Sequence, residues 1–305
     1  MIVRTVLGDI DPSDLGVTYA HEHLIIDSPA VAREWPHIHL PSSQEAIEEA
    51  SMCARVGVGA MVDAMPTGSG RNMEKLAEVS RATGVHVVAT SGMHTAKYYP
   101  GVAWAGEGAS GLARRFVDEI QKGVGGLRPG ILKVATSGPE VSATESELFR
   151  AAGIVHAETN VPVLTHCEGG EGALAQLELL NEVGIPLECV VISHTDKVLD
   201  PGYHRAILAS GANVEYDQGL RQHLTGSSAT AQLVAAMWEE GFGSQILLGT
   251  DGARRTLWTA LGGSPGLAWL RQGFPTVLAA HGIGESEVEA MFVSNPSRVL
   301  SFDPV

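Results

Sequence analysis

A single (β/α)8 TIM barrel is the fold this sequence predicts, and three observations predict it. Eight short apolar runs alternate with amphipathic stretches along the 305 residues, the pattern of a parallel sheet covered by helices. Polar residues sit at the C-terminal ends of the first, fourth, fifth, sixth and eighth runs. An open sheet would spread those ends along a row, whereas a closed barrel gathers them around one mouth, where barrel sites lie. No Pro/Gly-rich linker interrupts the chain, so residues 1–305 read as one domain.

The strands follow in order. GVTYAHEH (16–23), GAMVDAM (59–65), VHVVATSG (85–92), GILKVATSG (130–138), VPVLTHCE (161–168), CVVISHTD (189–196), ANVEYDQG (212–219) and QILLGTDG (245–252) are rich in Val, Ile, Leu or Thr, as buried parallel strands are. Helical patterns lie between them. SSQEAIEEASMCARVG opens on a capping box, Ser42 to Glu45, and stops at Gly57. Stretches 71–84, 110–123 and 143–160 repeat the design, as do 172–184, 200–211 and 228–241, the last three closed by Gly. A final helix, ESEVEAMFVSNPSRVL (285–300), follows the eighth strand.

Composition excludes several classes of function. With 44% hydrophobic and 18% charged residues the chain is no disordered segment. Its 35 acidic residues against 20 Lys+Arg give a net charge of −15, which disfavours nucleic-acid backbones and anionic membranes as partners. No apolar run nears the ~20 residues of a membrane helix. The start, MIVRTVLGDIDPSDLG, carries acids where a secretory signal keeps its apolar stretch. Cys53, Cys167 and Cys189 form no CxxC pair, which fits a reducing cytoplasm. The expected partner is a small-molecule substrate, and the sequence leaves a homodimer open.

The chemistry lies at the strand ends. His21 and His23 are two apart, so on a strand both face the lumen and Glu22 faces outward. Two imidazoles turned into an apolar barrel are costly without a partner, and either a metal ion or a hydrogen-bonded core pair supplies one. His166 and His194 each end an apolar run. Alone, a strand-end His is usually structural, but two on adjacent strands with HxH elsewhere on the ring favour a metal. Asp251 ends the eighth strand, which closes beside the first; capping the next helix is its alternative role. Lys133, between Ile131, Leu132 and Val134, must be neutralised, paired or modified. An ion pair with Asp251 is one solution. The other is reaction of the neutral amine with CO2, giving a carbamate that bridges two cations.

Four His, one Asp and one carbamate form a ligand set for two divalent ions, zinc foremost, with Mn, Co, Fe or Ni also suited. A bridging hydroxide would be the nucleophile. From the opening G-D-I-x-x-x-x-L-G-V-T-x-x-H-E-H-L to the closing N-P-S-R-V-L, nearly the whole chain resembles the phosphotriesterase family of the amidohydrolase superfamily. The resemblance implies His21, His23 and Asp251 on one ion, His166 and His194 on the other, and carboxylated Lys133 as bridge. It also implies Asp251 as the catalytic proton acceptor.

The match loosens around the substrate. Family members that hydrolyse organophosphates or quorum-sensing lactones carry His or Arg after an Asp at the end of strand seven. Here Asp217 is followed by Gln218, with Arg221 and His223 as candidate substitutes. The segment GMHTAKYYP and the T-D-G-A-R-R stretch resemble the phosphotriesterase-homology branch instead. Lys97, Tyr98, Tyr99, Arg254 and Arg255 are the candidate substrate contacts, the cations serving an anionic group or, alternatively, bridging to loop acids. His94 is a contact or a packing residue. Cys167 points away from the face of His166 and reads as a buried apolar group rather than a nucleophile.

The expectation is a metal-dependent hydrolase that opens a lactone or cleaves a related carboxylic ester. An amide or phosphoester (organophosphate) hydrolase on the same site is the alternative. A mononuclear deaminase-like enzyme would need no Lys133, and a non-catalytic binding barrel would have lost ligands.

Overall fold

The computed structural model describes residues 1–224 and 228–305. A short antiparallel hairpin, β1 (Val3–Thr5) and β2 (Gly8–Ile10), precedes eight parallel strands. These are β3 (Val17–Glu22), β4 (Val58–Asp63), β5 (His86–Gly92), β6 (Ile131–Thr136), β7 (Val163–Cys167), β8 (Val190–Ser193), β9 (Asn213–Tyr216) and β10 (Ile246–Leu248). They pair in sequence order from β3 to β10. The seam between β10 and β3 is bridged where the Thr250 and Asp251 N–H groups donate to the His21 carbonyl, at 3.2 and 2.9 Å. The predicted barrel is therefore the observed fold, with helices between consecutive strands.

All eight expected strands form; β5 ends where expected, at Gly92, and the other seven end one to four residues early. Beyond the ladders, His194 and Asp251 adopt left-handed backbone, φ 68° and 43°. Such a conformation costs a non-glycine residue about 1–3 kcal/mol, and it turns each residue sharply at the mouth. The hairpin, which the apolar runs did not signal, docks by Val6 N–H on the Val87 carbonyl at 2.8 Å. Ile2 and Phe302 exchange backbone hydrogen bonds, so the two chain ends are tied together.

Two apolar layers position the site. Leu132, Val134, Val163, Cys167, Ile192, Val214 and Tyr216 belong to the large core shared with the surrounding helices. A second cluster takes Ala20, Ala60, Val62, Val88, Ile131, Leu164, Val191 and Leu247 from seven of the eight strands and fills the lumen. Two residues further along the same face stand Lys133, His166 and Ser193. A polar layer thus rests on an apolar floor. On β9 the interior face is polar throughout its length.

Two expectations change in detail. A register break in β3 between Tyr19 and Glu22 puts both Ala20 and His21 inside, which strict alternation forbids. Glu22 lies at the seam, fully buried, its carboxylate accepting from the Thr250 N–H at 2.9 Å and from the Thr250 hydroxyl. Burial pushes its carboxyl up to about 8. At the second helix Ser42 caps the Glu45 N–H, and the complete capping box forms instead at Ser142 and Glu145. The final helix widens into a π turn over Ala290–Ser294. Pro296 lacks the N–H that an α-turn would donate to Phe292, which accounts for the wider turn. Among the described residues no helix is long and apolar enough to cross a membrane.

Candidate metal centre

The mouth brings His21, His23, Lys133, His166, His194 and Asp251 into one chain of contacts. Lys133 Nζ lies 3.3 Å from His21 Nε2. His23 Nε2 lies 3.3 Å from Asp251 Oδ1. Ring centroids stand 5.4 Å apart for His21 and His23, 4.7 Å for His21 and His194, and 4.6 Å for His166 and His194. Lys133 is wholly buried. Gly92 on the neighbouring strand permits this close approach, because a Cβ there would stand 2.1 Å from the Lys133 carbonyl.

The electrostatics suit cation binding. Burial and the nearby Lys133 hold His21 well below the usual imidazole range. Burial, helped by His194 and Lys133 and opposed by Glu168, brings His166 down to about 3. Burial lowers Lys133 to about 8 against the pull of Asp251 and Glu215. Burial would raise Asp251, but Arg221, His23 and His194 outweigh it and hold the carboxyl well below its usual value. Neutral imidazoles beside an ionised carboxylate are donors a divalent ion accepts.

The donor set therefore fits metal ions. Among the described residues His23 Nδ1 and His166 Nδ1 are buried without a hydrogen-bond partner, a cost that an ion-bound state removes for any nitrogen it takes as ligand. Ligand atoms of His21, His23 and Asp251 converge within 4.8 Å, as do those of His21, His194, Glu215 and Asp217. The second group shows what the sequence reading missed. Asp217 Oδ2 meets His194 Nδ1 at 2.5 Å, and Glu215 Oε2 lies 3.4 Å from His21 Nδ1. The signal was present in ANVEYDQG: Asn213, Glu215 and Asp217 recur with period two on a strand whose other face, Val214 and Tyr216, is apolar.

A cavity of about 420 Å³ opens above the donors. Lys97, Tyr98 and Arg254 line it; Tyr99 and Arg255 do not. Tyr99 is buried, its hydroxyl accepting from the His94 N–H at 2.9 Å. Arg255 donates to the His39 carbonyl at 2.9 Å. Lys97 bridges to Glu168 Oε2 at 3.1 Å, and that carboxylate also meets His166 Nε2 at 3.1 Å. His166, first through this hydrogen bond, and Lys97 together hold Glu168 down to about 2. His94 is buried, its ring 4.3 Å from His166 and 4.6 Å from Tyr98. Trp35, from the loop after β3, completes an aromatic wall at 4.9 Å from Tyr98. Cys167 is buried, and burial pushes its thiol up to about 12.

Arg221 occupies the ground left by Gln218. It reaches in from the loop after β9 and donates to the carbonyls of Asp217, Thr250 and Asp251 and to Asp251 Oδ2, the last at 2.9 Å. Gln218 hydrogen-bonds the Asp217 carboxylate, and His223 sits at 3.0 Å on the Leu220 carbonyl.

Known proteins share this architecture. A phosphotriesterase homology protein of Mycobacterium tuberculosis is 28% identical, with 98% of this chain and 97% of that protein aligned. The crystal structure of a lactonase from Listeria monocytogenes superposes with TM-score 0.91 at 28% identity, covering 99% of this chain and all of that one. An organophosphorus hydrolase from Deinococcus radiodurans superposes with TM-score 0.84 at 28% identity, covering 99% and 97%. The family model of the phosphotriesterases matches residues 1–300, and the chain belongs to the phosphotriesterase family.

Proposed function

We propose that this phosphotriesterase-family hydrolase opens a lactone, or cleaves a related carboxylic ester, at a two-ion centre held by His21, His23, Lys133, His166, His194 and Asp251. The observation that carries the reading is Lys133. Its amine is fully buried, rests against an imidazole rather than a carboxylate, and is lowered to about 8 by burial. A sizeable fraction is then neutral near physiological pH and can add CO2. The ammonium loses one proton to become the neutral amine and the new N–C bond expels a second, so a buried cation becomes an anion with two oxygens.

His21, His23 and Asp251 would hold one ion, His166 and His194 the other, with the Lys133 carbamate between them. Bound there, two divalent ions, zinc foremost, would supply Lewis acidity and an ionised water. The chain's own residues do the rest. Arg221 fixes Asp251 Oδ2, and His23 stands at Oδ1. Asp251 takes the proton of the attacking water. Because Arg221, His23 and His194 keep that carboxyl strongly acidic, it readily returns the proton to the departing alkoxide. Trp35 and Tyr98 offer an apolar face to the acyl group, and Arg254 meets anionic substituents at the rim. The likeness to the Listeria monocytogenes lactonase, 28% identical over 99% of this chain, supports a lactone substrate. We place the enzyme in the cytoplasm, where its three free cysteines stay reduced.

The test is a screen of zinc-reconstituted protein against lactones, N-acyl amides and phosphotriesters. Turnover is expected highest for a lactone. Amide or phosphotriester turnover exceeding that of every lactone overturns the substrate assignment.

A further inference from the structure

Beneath the six donors, the interior face of β9 carries Asn213, Glu215 and Asp217, all fully buried. Two of them are engaged. Asn213 donates to the Val190 carbonyl at 3.0 Å and accepts from Arg298 at 2.7 Å, while Asp217 meets His194. Neither Glu215 oxygen has a hydrogen-bond partner among the described residues. Its Oε2 nevertheless lies 3.4 Å from His21 Nδ1. Ser193, its cross-strand neighbour, stands 3.1 Å from the same nitrogen. The other nitrogen of that ring, Nε2, faces Lys133.

The barrel makes room for this carboxylate. A Cβ at Gly249, just after β10, would stand 2.5 Å from Glu215 Oε1. An unpaired carboxylate in an apolar barrel is expensive, and it is tolerated where a strong positive charge offsets it. Among the described residues the group recorded beside it that can take a positive charge is the His21 imidazole, with Nδ1 3.4 Å from Oε2, while Asp217 adds a like charge next to it. His194 with Asp217 supplies the precedent: one ring nitrogen faces a buried carboxylate and leaves the other for the mouth. Imidazole ligands of metal ions commonly show this arrangement, which fixes the tautomer and raises the basicity of the ligand.

We propose that Glu215 is a positioning residue of the metal centre. It accepts the Nδ1–H of His21, leaves Nε2 as the ligand, and offsets one positive charge of the bound ions. The inference rests on the two-ion reading above, and the experiment separates the two.

Zinc-loaded full-length protein is titrated with a chelator, and the zinc retained is read for the unsubstituted chain and for Glu215→Gln, Glu215→Leu and Glu215→Asp. The Gln and Leu variants should release zinc with an apparent affinity about 10–100-fold weaker, and Asp should recover part of the loss. In excess chelator the Leu variant should melt no lower than the unsubstituted protein, because an unpaired buried carboxyl has gone. A residue with a merely structural role would lower that melting temperature and leave zinc retention unchanged. Zinc retention within twofold of the unsubstituted chain in both Gln and Leu variants overturns the proposal, and where Leu fails to fold, Gln alone decides. If the unsubstituted chain holds no zinc, the two-ion reading itself has failed.

Discussion

Replacing Arg221 with alanine removes four hydrogen bonds at once, three to backbone carbonyls and one to Asp251 Oδ2 at 2.9 Å. The pair is mostly buried, with Arg221 23% and Asp251 18% exposed. Breaking a fully buried ion pair costs about 3–5 kcal/mol, and a surface pair under 1 kcal/mol, so this one should cost about 2–4 kcal/mol. At ~2.1 cal/mol/K per residue, the unfolding entropy of 305 residues is about 0.64 kcal/mol/K, and Tm should fall by about 3–6 °C. That fall belongs to the metal-free chain. With ions bound, Asp251 has another positive partner and the fall should be about half as large. Misaiming Asp251 should lower kcat about 10–100-fold with little change in KM, since in the proposed mechanism the carboxylate handles the proton rather than the substrate. Thermal melts with zinc and with chelator, together with steady-state lactone hydrolysis, measure both effects. A melting temperature unchanged in chelator and a kcat within twofold of the unsubstituted protein would refute this role for Arg221.

Other outcomes follow from the same geometry. Gly249→Ala drives a Cβ to 2.8 Å from the His21 N and 2.9 Å from its carbonyl O as well as onto Glu215; it should destabilise the chain by about 1–3 kcal/mol in thermal melts and weaken zinc retention. Tyr98→Ala removes one side of the aromatic wall and should raise KM about 2–10-fold for bulky apolar lactones while kcat holds. A KM unchanged across ring substituents would place the substrate elsewhere. Arg254→Ala should raise KM for anionic lactones and leave neutral ones unaffected. Arg255→Ala should alter neither, but lose about 1 kcal/mol of stability with the His39 carbonyl contact.

How the site was legible follows from strand periodicity. His21, His166, His194, Lys133 and Asp251 could be read because each interrupts or ends an apolar run, where a polar residue needs a partner. Glu215 interrupts one too, but its carboxylate sits among like charges, and only the folded β9 shows that His21 Nδ1 lies beside it. Arg221 was harder. It lies four residues beyond Asp217 in a loop, and loop paths are set by local hydrogen bonds such as Gln218 N–H to Asp196 at 2.8 Å. Trp35 reaches the cavity from the long segment after β3, where no periodicity marks direction. The strands that stop most short, β8, β9 and β10, share a cause: the backbone departs from the ladder at the mouth to aim side chains inward, so alternation predicts the face but not the last paired residue. Lys97 and Arg255 were plausible anion contacts by charge alone, and each has a partner in the fold, Glu168 and the His39 carbonyl.

The central claim, a two-ion centre bridged by a carbamate on Lys133, is tested most directly by metal content. The unsubstituted chain and Lys133→Ala are reconstituted with zinc in bicarbonate buffer, freed of excess metal, and measured for zinc per chain with and without a short carboxylic acid. The account predicts two ions in the unsubstituted chain, fewer than one in the variant, and partial recovery of metal and lactone turnover when the acid stands in for the bridge. Two ions and full turnover in Lys133→Ala without added acid would contradict it.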